Sequence, residues 1–443
     1  MTKIVAKLTS GWVFIRAFAL ARWGLHFVSR TALLTYQANA MRRHREKWWP
    51  QSDFYRPFVQ QHDQIPLMDK ATMMANFDAL NTAGLTREVC MDWAQAAELS
   101  RDFSATLNGV TVGLSSGTSA VRGIFLATQR EQAYWAGNML AMLLPKPLYR
   151  RQRIALFLRA GSGLYDKLGK SHWVQFRFFD LSRPFGELIH DLKEFNPTVL
   201  VAPAQCLERL VDAQAILNIQ PRQVIAVTEC LPDDVRHKVE QTWHQRVDEI
   251  YQATEGFLAV SCTHGRLHLN EAFVHFDFEV LDAATHRVVP IITDFSRTTQ
   301  LMVRYRLDDV LVLSDEHNCP CGQHSRIIDK IEGRCDDVLR LPKKSGGEVD
   351  VYPDYISRAL LLVDGLCDFR VRQLSDHQLS IQYVGDSVDI TVVQNAIQSV
   401  ANLCDIDLAK LSMQIETVRN FETSLMHKRR RIIGLARRLP HAF

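Results

Sequence analysis

Between about residues 70 and 334 the chain alternates two patterns of apolar and polar positions. Helical stretches such as 129–144 are interleaved with short β-rich runs at 153–158, 198–201 and 223–227, each followed by turn or helix-start residues. That alternation predicts an α/β architecture. After Gly333-Arg334 the character changes. Residues 342–347 form a basic, glycine-containing loop, and beyond it the pattern reads strand at 368–373 and 379–384, helix at 390–403, and strand near 413–418. A separate α+β domain of about 100 residues follows from that order. The predicted organisation is a basic, amphipathic helical region over 1–70, a large α/β domain over 71–334, and a small, mobile C-terminal α+β domain over 335–443.

On a helical wheel Arg16, Arg22, His26 and Arg30 share one sector, while Val13, Phe14, Ala17, Phe18, Leu20, Ala21, Leu25 and Val28 lie opposite. This predicts an amphipathic helix with a cationic face. Its partner is the body of the protein, a second copy in a homodimer, or anionic lipid in a peripheral contact of residues 10–30. Arg16 and Arg22 interrupt the apolar run, which leaves neither the roughly 18 apolar residues of a spanning helix nor an unbroken signal-peptide core.

Composition narrows the function classes. With 52 Lys and Arg against 49 Asp and Glu the net charge is +3, which excludes a dedicated nucleic-acid binder. The average hides an asymmetry, because residues 1–50 hold nine basic side chains and one acid, and residues 427–443 hold six basic side chains and none. The intervening body has 37 basic and 48 acidic residues. Nine scattered cysteines do not form the framework of a secreted disulfide domain, so the expected setting is cytoplasmic, with peripheral contact at the inner face of the membrane as its variant.

The richest local chemistry is Leu114-Ser115-Ser116-Gly117-Thr118-Ser119-Ala120-Val121-Arg122-Gly123, which follows apolar Val110, Val112 and Leu114 and precedes the helical stretch at 129. Small hydroxyl residues and glycine between strand and helix leave N–H and hydroxyl groups free to surround phosphate oxygens. The segment lacks the Gly-Lys-Ser/Thr ending of a P-loop. A surface turn of the same composition is the competing reading.

This segment resembles the phosphate-binding motif of the adenylate-forming enzymes, in the branch of the phenylacetate coenzyme A ligases, which is related to deazaflavin-adenylylating synthetases. Four further stretches stand in that family's order. Tyr251-Gln252-Ala253-Thr254-Glu255-Gly256 is similar to its Tyr-x-x-Thr/Ser-Glu segment, and Arg304-Tyr305-Arg306-Leu307-Asp308-Asp309 to its Arg-Tyr-Arg-x-x-Asp. Gly333-Arg334-Cys335-Asp336-Asp337 resembles the hinge between its two domains, and His427-Lys428-Arg429-Arg430-Arg431 occupies the place of its Gly-Lys-x-x-Arg stretch. Ala120, Val121 and His427 depart from the family pattern.

The resemblance implies a carboxylate-activating ligase that forms an acyl adenylate from ATP and passes the acyl group to a thiol, coenzyme A or a carrier protein. Adenylylation, amide formation and a non-catalytic membrane-associated scaffold are the alternatives on the same fold. It further implies that Ser115, Ser116, Gly117, Thr118 and Ser119 cradle phosphate, that Tyr251 and Thr254 line the nucleotide site, and that Glu255 holds magnesium. Asp309 would meet the ribose, Arg334 would lie near the nucleotide, Asp336 would be the pivot, and Lys428 would reach the carboxylate and α-phosphate. The chemistry requires such groups, because attack of one anion on another needs cations and N–H donors around the phosphorus and the leaving group.

A second constellation is metallic. Cys262-Thr-His264-Gly-Arg-Leu-His268, followed by Cys319-Pro320-Cys321-Gly322, offers thiolates and imidazoles suited to tetrahedral zinc. The expected ligands are Cys262, His268, Cys319 and Cys321, with His264 as substitute for His268, and members of the resembled branch carry a similar structural zinc. Four protein ligands leave no open position, so the ion would be structural. For the acid, Tyr134, Trp135 and Phe257 are the candidate aromatic walls, pointing to an aryl or medium-length apolar substrate.

Overall fold

The computed structural model describes residues 2–100, 102–103, 105–115, 123–144, 150–159, 174–316, 318–385, 388–421 and 429–435, with side chains from residue 10 onward. These residues form two compact units. The first comprises Met1–Phe278, Pro290–Leu307 and Leu313–Asp329, and the second comprises Glu279–Val289, Asp308–Val312 and Lys330–Phe443.

The first unit opens with α1 (Thr2–Ala19), α2 (Arg30–Trp48), α3 (Lys70–Ala75), α4 (Phe77–Leu80) and α5 (Arg87–Ser100), then a hairpin of β1 (Val110–Leu114) and β2 (Ile124–Thr128), then α6 (Gln129–Leu143). An alternating stretch follows: β3 (Gln152–Leu158), β4 (Val174–Asp180), α7 (Phe185–Phe195), β5 (Val199–Ala202), α8 (Ala204–Asp212), α9 (Gln214–Leu217), β6 (Gln223–Val227), α10 (Asp233–Trp243), β7 (Val247–Ala253), β8 (Gly256–Ser261) and β9 (Leu267–Leu269). Neighbouring strands run in the order β4-β3-β5-β6-β7-β8-β9. The first five are parallel, and β8 and β9 continue antiparallel. All four residues of β5 are buried, as a strand covered by helices on both faces requires.

The structure departs from two expectations. The serine-rich loop does not lead from a strand into a helix. It joins β1 to β2, which pair antiparallel from Val110 opposite Thr128 to Leu114 opposite Ile124. Thr128 then begins α6 through a capping box with Glu131. The sequence predicted no strand at Ile124–Thr128, because so short an apolar run carries little periodicity.

The single cationic sector at the N-terminus is also broken up. The α-helix ends at Ala19, and a π-helical turn at Leu20–Gly24 rotates Arg22 inward, where it is 7% exposed. Its guanidinium donates to the carbonyls of Ala141 and Leu144 at 2.7 Å each, satisfying the C-terminal end of α6. Ala17 is buried, and Phe14 and Phe18 pack against the apolar cluster beneath α6. At Gly137 the backbones are so close that a Cβ would lie 2.5 Å from the Phe14 carbonyl, so only glycine fits. The helix is docked on the body of the protein. Its outward side carries Trp12 and Ile15, with Trp23 exposed just beyond it. Among the described residues no helix is long and apolar enough to cross a membrane.

The chain continues through β10 (Val274–Asp282), β11 (Arg287–Asp294), β12 (Tyr305–Arg306), β13 (Asp309–Leu313) and β14 (Ile327–Arg334). In the second unit β15 (Leu339–Pro342) and β16 (Glu348–Val351) form a hairpin, followed by α11 (Pro353–Leu361), β17 (Asp368–Ser375), β18 (Gln378–Val384), α12 (Ile390–Leu403), β19 (Ser412–Thr417) and β20 (Ile432–Ile433). The sheet order is β19-β18-β17-β20. Phe369, Val371, Leu379 and Ile381 from the sheet and Val393 and Ile397 from α12 build a core of their own.

Candidate active site and metal centre

The segment Tyr251–Gly256 lies at the C-terminal end of parallel strand β7, the edge at which open α/β sheets bind ligands. Ala253 faces Gly256 across the β7–β8 pair, so Thr254 and Glu255 are the two residues of a tight hairpin turn, and Glu255 is nearly buried. Gly256 is required by a close approach: a Cβ there would sit 3.0 Å from a carboxylate oxygen of Asp294. Burial raises the Asp294 carboxyl above its usual range, with Ser296 and Arg297 acting in the other direction.

The turn is braced by a residue the sequence reading did not single out. Arg297 donates through Nη2 to the Thr254 carbonyl at 2.7 Å. The loop that carries Arg297 is gripped by Glu131 of α6. Its Oε1 accepts from the backbone N–H of Thr298 at 2.7 Å, the Thr298 hydroxyl at 3.1 Å and the N–H of Thr299 at 2.9 Å. Its Oε2 accepts from the Thr299 hydroxyl at 2.5 Å and from the N–H and hydroxyl of Thr128 at 2.8 and 2.7 Å. Burial alone would raise this carboxyl; the bonds from Thr299, Thr128 and Thr298 outweigh it and hold the group below the usual carboxylate range. The Thr-x-x-Glu capping box was the available sequence signal.

Of the phosphate-cradle candidates Ser115 is described. Its N–H donates to the Gly123 carbonyl at 2.7 Å and its Oγ accepts from the Gly123 N–H at 2.9 Å, closing the neck of the 115–123 loop. Ser116, Gly117, Thr118, Ser119 and Lys428 lie outside the described residues. Trp135 lines a cavity beneath α6, Phe257 is buried in the adjoining cluster, and Tyr134 turns its ring edge-on to Phe273.

The second unit gathers Asp309, Arg334 and Asp336. Gly333 has a φ of +128°, and a Cβ there would meet Asp337 Oδ2 at 3.1 Å. The glycine lets the chain turn so that the Arg334 N–H donates to that oxygen at 3.0 Å. The Arg334 side chain donates to Asp308 at 3.1 Å. Burial disfavours its charge, but Asp309, Asp336, Asp308 and Asp337 together raise its pKa. Arg430, two residues beyond Lys428, donates through Nε to Asp337 at 2.7 Å and pairs through Nη2 with Asp336 at 3.2 Å. That clasp ties the chain just after Lys428 to Cys335–Asp337, the turn that resembles a hinge. A run of four basic residues gave no sign of which one makes it.

Cys262, His268, Cys319 and Cys321 come together in the first unit, their ligand atoms all within 4.8 Å of one another. Cys262 and Cys319 sulfurs are 3.7 Å apart, and Cys321 Sγ is 3.5 Å from His268 Nε2. For a tetrahedral ion with metal–sulfur bonds of about 2.3 Å and metal–nitrogen bonds of about 2.0 Å the corresponding edges are about 3.8 and 3.5 Å. The His268 ring faces the Ser325 carbonyl at 3.2 Å through Nδ1, which leaves Nε2 turned toward Cys321. Burial lowers the His268 pKa and keeps the ring in its neutral, metal-binding form. Backbone N–H groups of His264 and Gln323 reach the sulfurs of Cys262 and Cys321 at 3.4 Å each. His264 contributes its backbone to the knuckle, and its ring faces the Thr263 hydroxyl instead. The donor set fits a thiolate-rich, four-coordinate ion.

Comparison with known proteins adds the larger frame. No family model matches the chain. Protein CapK of Staphylococcus aureus is 22% identical over 303 residues, 64% of this chain and 61% of that protein, so the match spans under two thirds of the relative's length. A 2-hydroxyisobutyryl-CoA ligase in its postadenylation state superposes with a TM-score of 0.62 at 16% identity, over 91% of this chain and 89% of its own. The fold is that of the adenylate-forming enzymes. ATP-bound MatB from Rhodopseudomonas palustris matches it at 0.51 and 13% identity, over 72% of this chain and 65% of that one. The amide bond synthetase McbA from Marinactinospora thermotolerans gives 0.50 and 12%, over 72% and 67%.

The Glu131 grip has a definite pH signature. Its carboxyl lies below the unfolded value, so its stabilisation is full above the unfolded range and is lost as pH falls through the folded value. Glu131→Gln is expected to lower unfolding stability by about 2 kcal/mol at neutral pH, with the difference shrinking in acid as the parent itself protonates. Urea unfolding at pH 7 and near pH 3 reads both; equal stability of variant and parent at pH 7 contradicts the assignment.

Proposed function

We propose that this protein activates a carboxylic acid with ATP, forming an acyl adenylate with release of pyrophosphate, and then transfers the acyl group to a thiol such as coenzyme A or a carrier protein. The observation that carries the reading is the braced Thr254–Glu255 turn at the C-terminal edge of a sheet whose fold is shared over nine tenths of the chain with a CoA ligase. In this reading Glu255 would hold magnesium, which supplies charge neutralisation at the phosphates. The loop from Ser115 through Ser116, Gly117, Thr118 and Ser119 surrounds phosphate, and Tyr251 and Thr254 face the nucleotide. Asp309 meets the ribose. Lys428 stabilises charge where the carboxylate attacks, Arg334 lies near the nucleotide, and Asp336 is the pivot on which residues 335–443 move relative to 71–334. Such movement would exclude water from a readily hydrolysed adenylate and then exchange the groups at the site.

The likeness to an amide bond synthetase supports a second ending, in which an amine takes the acyl group; the mass of the product separates the two. The four-ligand cluster is proposed to hold structural zinc. The outward Trp12, Ile15 and Trp23, flanked by exposed Arg16 and His26, support peripheral contact with an anionic bilayer.

Three measurements test these assignments. Exchange of labelled pyrophosphate into ATP across an acid panel should be acid-dependent, and Lys428→Ala should slow it about 100-fold or more while leaving thioester formation from supplied acyl adenylate within a few-fold; equal exchange by variant and parent refutes the lysine's role. Metal analysis of chelator-free protein should find about one zinc per chain, and Cys319→Ser should abolish it; metal-free parent protein refutes the site. Sedimentation with anionic vesicles should recover the parent and lose Trp12→Ser/Trp23→Ser, whereas equal recovery without vesicles, or a homodimer occupying this face, overturns the lipid contact.

A further inference from the structure

The loop that carries Arg297 is held from a second side, by α2. Leu33, Gln37, Ala40 and His44 recur at helical spacing and form the buried face of that helix. Its N-terminal half is anchored at one residue: Arg30 donates through Nη2 to the Glu271 carboxylate at 2.7 Å, and Gln37 donates to the Glu271 carbonyl at 2.7 Å. Near its other end the helix buries an imidazole, His44, which is 3% exposed. The indole of Trp49 can only donate, and it gives its N–H to His44 Nδ1 at 3.3 Å. Burial lowers the His44 pKa, so the ring is neutral, and Phe295 stands edge-on to it. With Nδ1 accepting, the one ring proton is on Nε2, which donates to the Arg297 carbonyl at 2.9 Å.

That bond meets one half of a peptide unit whose other half is already held. The Thr298 N–H, in the same plane as the Arg297 carbonyl, donates to Glu131 Oε1 at 2.7 Å. Hydrogen bonds from α2 and α6 thus fix the plane next to the Arg297 Cα, and with it the direction in which that side chain leaves the backbone to reach the Thr254 carbonyl. With both ring nitrogens occupied, His44 has no free position for proton transfer. What it can set is geometry.

We propose that His44 is a positioning residue for the nucleotide and magnesium site: its Nε2–H, in the tautomer that Trp49 selects, holds the Arg297–Thr298 peptide so that Arg297 braces the Thr254–Glu255 turn. This rests on the carboxylate-activating reading above and gives the N-terminal helical region a part in it.

The test compares His44→Leu, which removes the donor, with His44→Gln, whose amide nitrogen takes the place of Nε2 and can still donate. With the acid that best drives pyrophosphate exchange, His44→Leu should slow exchange at saturating ATP about tenfold or more and raise the half-saturating magnesium concentration by a similar factor. KM for the acid, and thioester formation from supplied acyl adenylate, should stay within a factor of about two, a split that a general loss of folding would not produce. His44→Gln should stay within a few-fold of the parent throughout. Calorimetric binding of α,β-methylene ATP with magnesium to the full chain should rank the three proteins in the same order. Should His44→Leu fail to melt cooperatively, His44→Asn, whose amide stops at the place of Nδ1, makes the same comparison. Parent-like exchange and binding by His44→Leu, or equal losses in His44→Leu and His44→Gln, overturn the positioning role and leave the ligase reading standing wherever the parent exchanges. Nucleotide binding weakened in His44→Leu and restored in His44→Gln, with no exchange by the parent, keeps the positioning role and sinks the ligase reading. A parent that neither exchanges nor binds nucleotide sinks both.

Discussion

A carboxylate leaves water only if its lone pairs are met, and Glu131 meets that condition with six hydrogen bonds from three threonines. Two of those threonines belong to a loop more than 160 residues away in sequence. Fixing that loop fixes Arg297, and Arg297 fixes the turn that presents Glu255. The start of α6 is thereby linked to the edge of the sheet through a continuous run of hydrogen bonds, which is what a site needs if its polar groups are to be positioned before a charged ligand arrives. The same helix walls an apolar cavity, and α1 packs closely against that helix at Gly137.

The regular elements were legible where pattern and length agreed. The strand over 223–227 and the helix over 390–403 have the expected bounds, because an apolar run flanked by turn residues and a long amphipathic repeat each admit one reading. Short or interrupted elements were not legible. Residues 124–128 form a second hairpin strand, since only pairing with β1 distinguishes them from a loop. The π-helical turn at Leu20–Gly24 rotates Arg22 out of the sector an ideal helix would give it, and no periodicity argument anticipates a change of pitch.

The site was legible in proportion to how rare its chemistry is. Cysteine and histidine in tight pairs point to one another across any sequence distance, and the fold brings Cys262 and His268 to Cys319 and Cys321. Carboxylates and arginines are common, so the grip of Glu131 and the clasp of Arg430 on Asp336 and Asp337 needed three-dimensional partners to be seen. The cavity beneath α6 shows the same limit. Tyr134, Trp135 and Phe257 looked alike in sequence, yet of these three only Trp135 lines the cavity, because helical and strand geometry turn the other two elsewhere.

In the proposed reaction ATP is bound where the loop from Ser115 to Gly123 and the Thr254–Glu255 turn can both reach its phosphates. A crystal structure of the full chain grown with α,β-methylene ATP and magnesium tests this most directly. Phosphate oxygens are expected against that loop, with the metal on Glu255. A nucleotide bound away from both segments, in a crystal where the protein is otherwise intact, would contradict it.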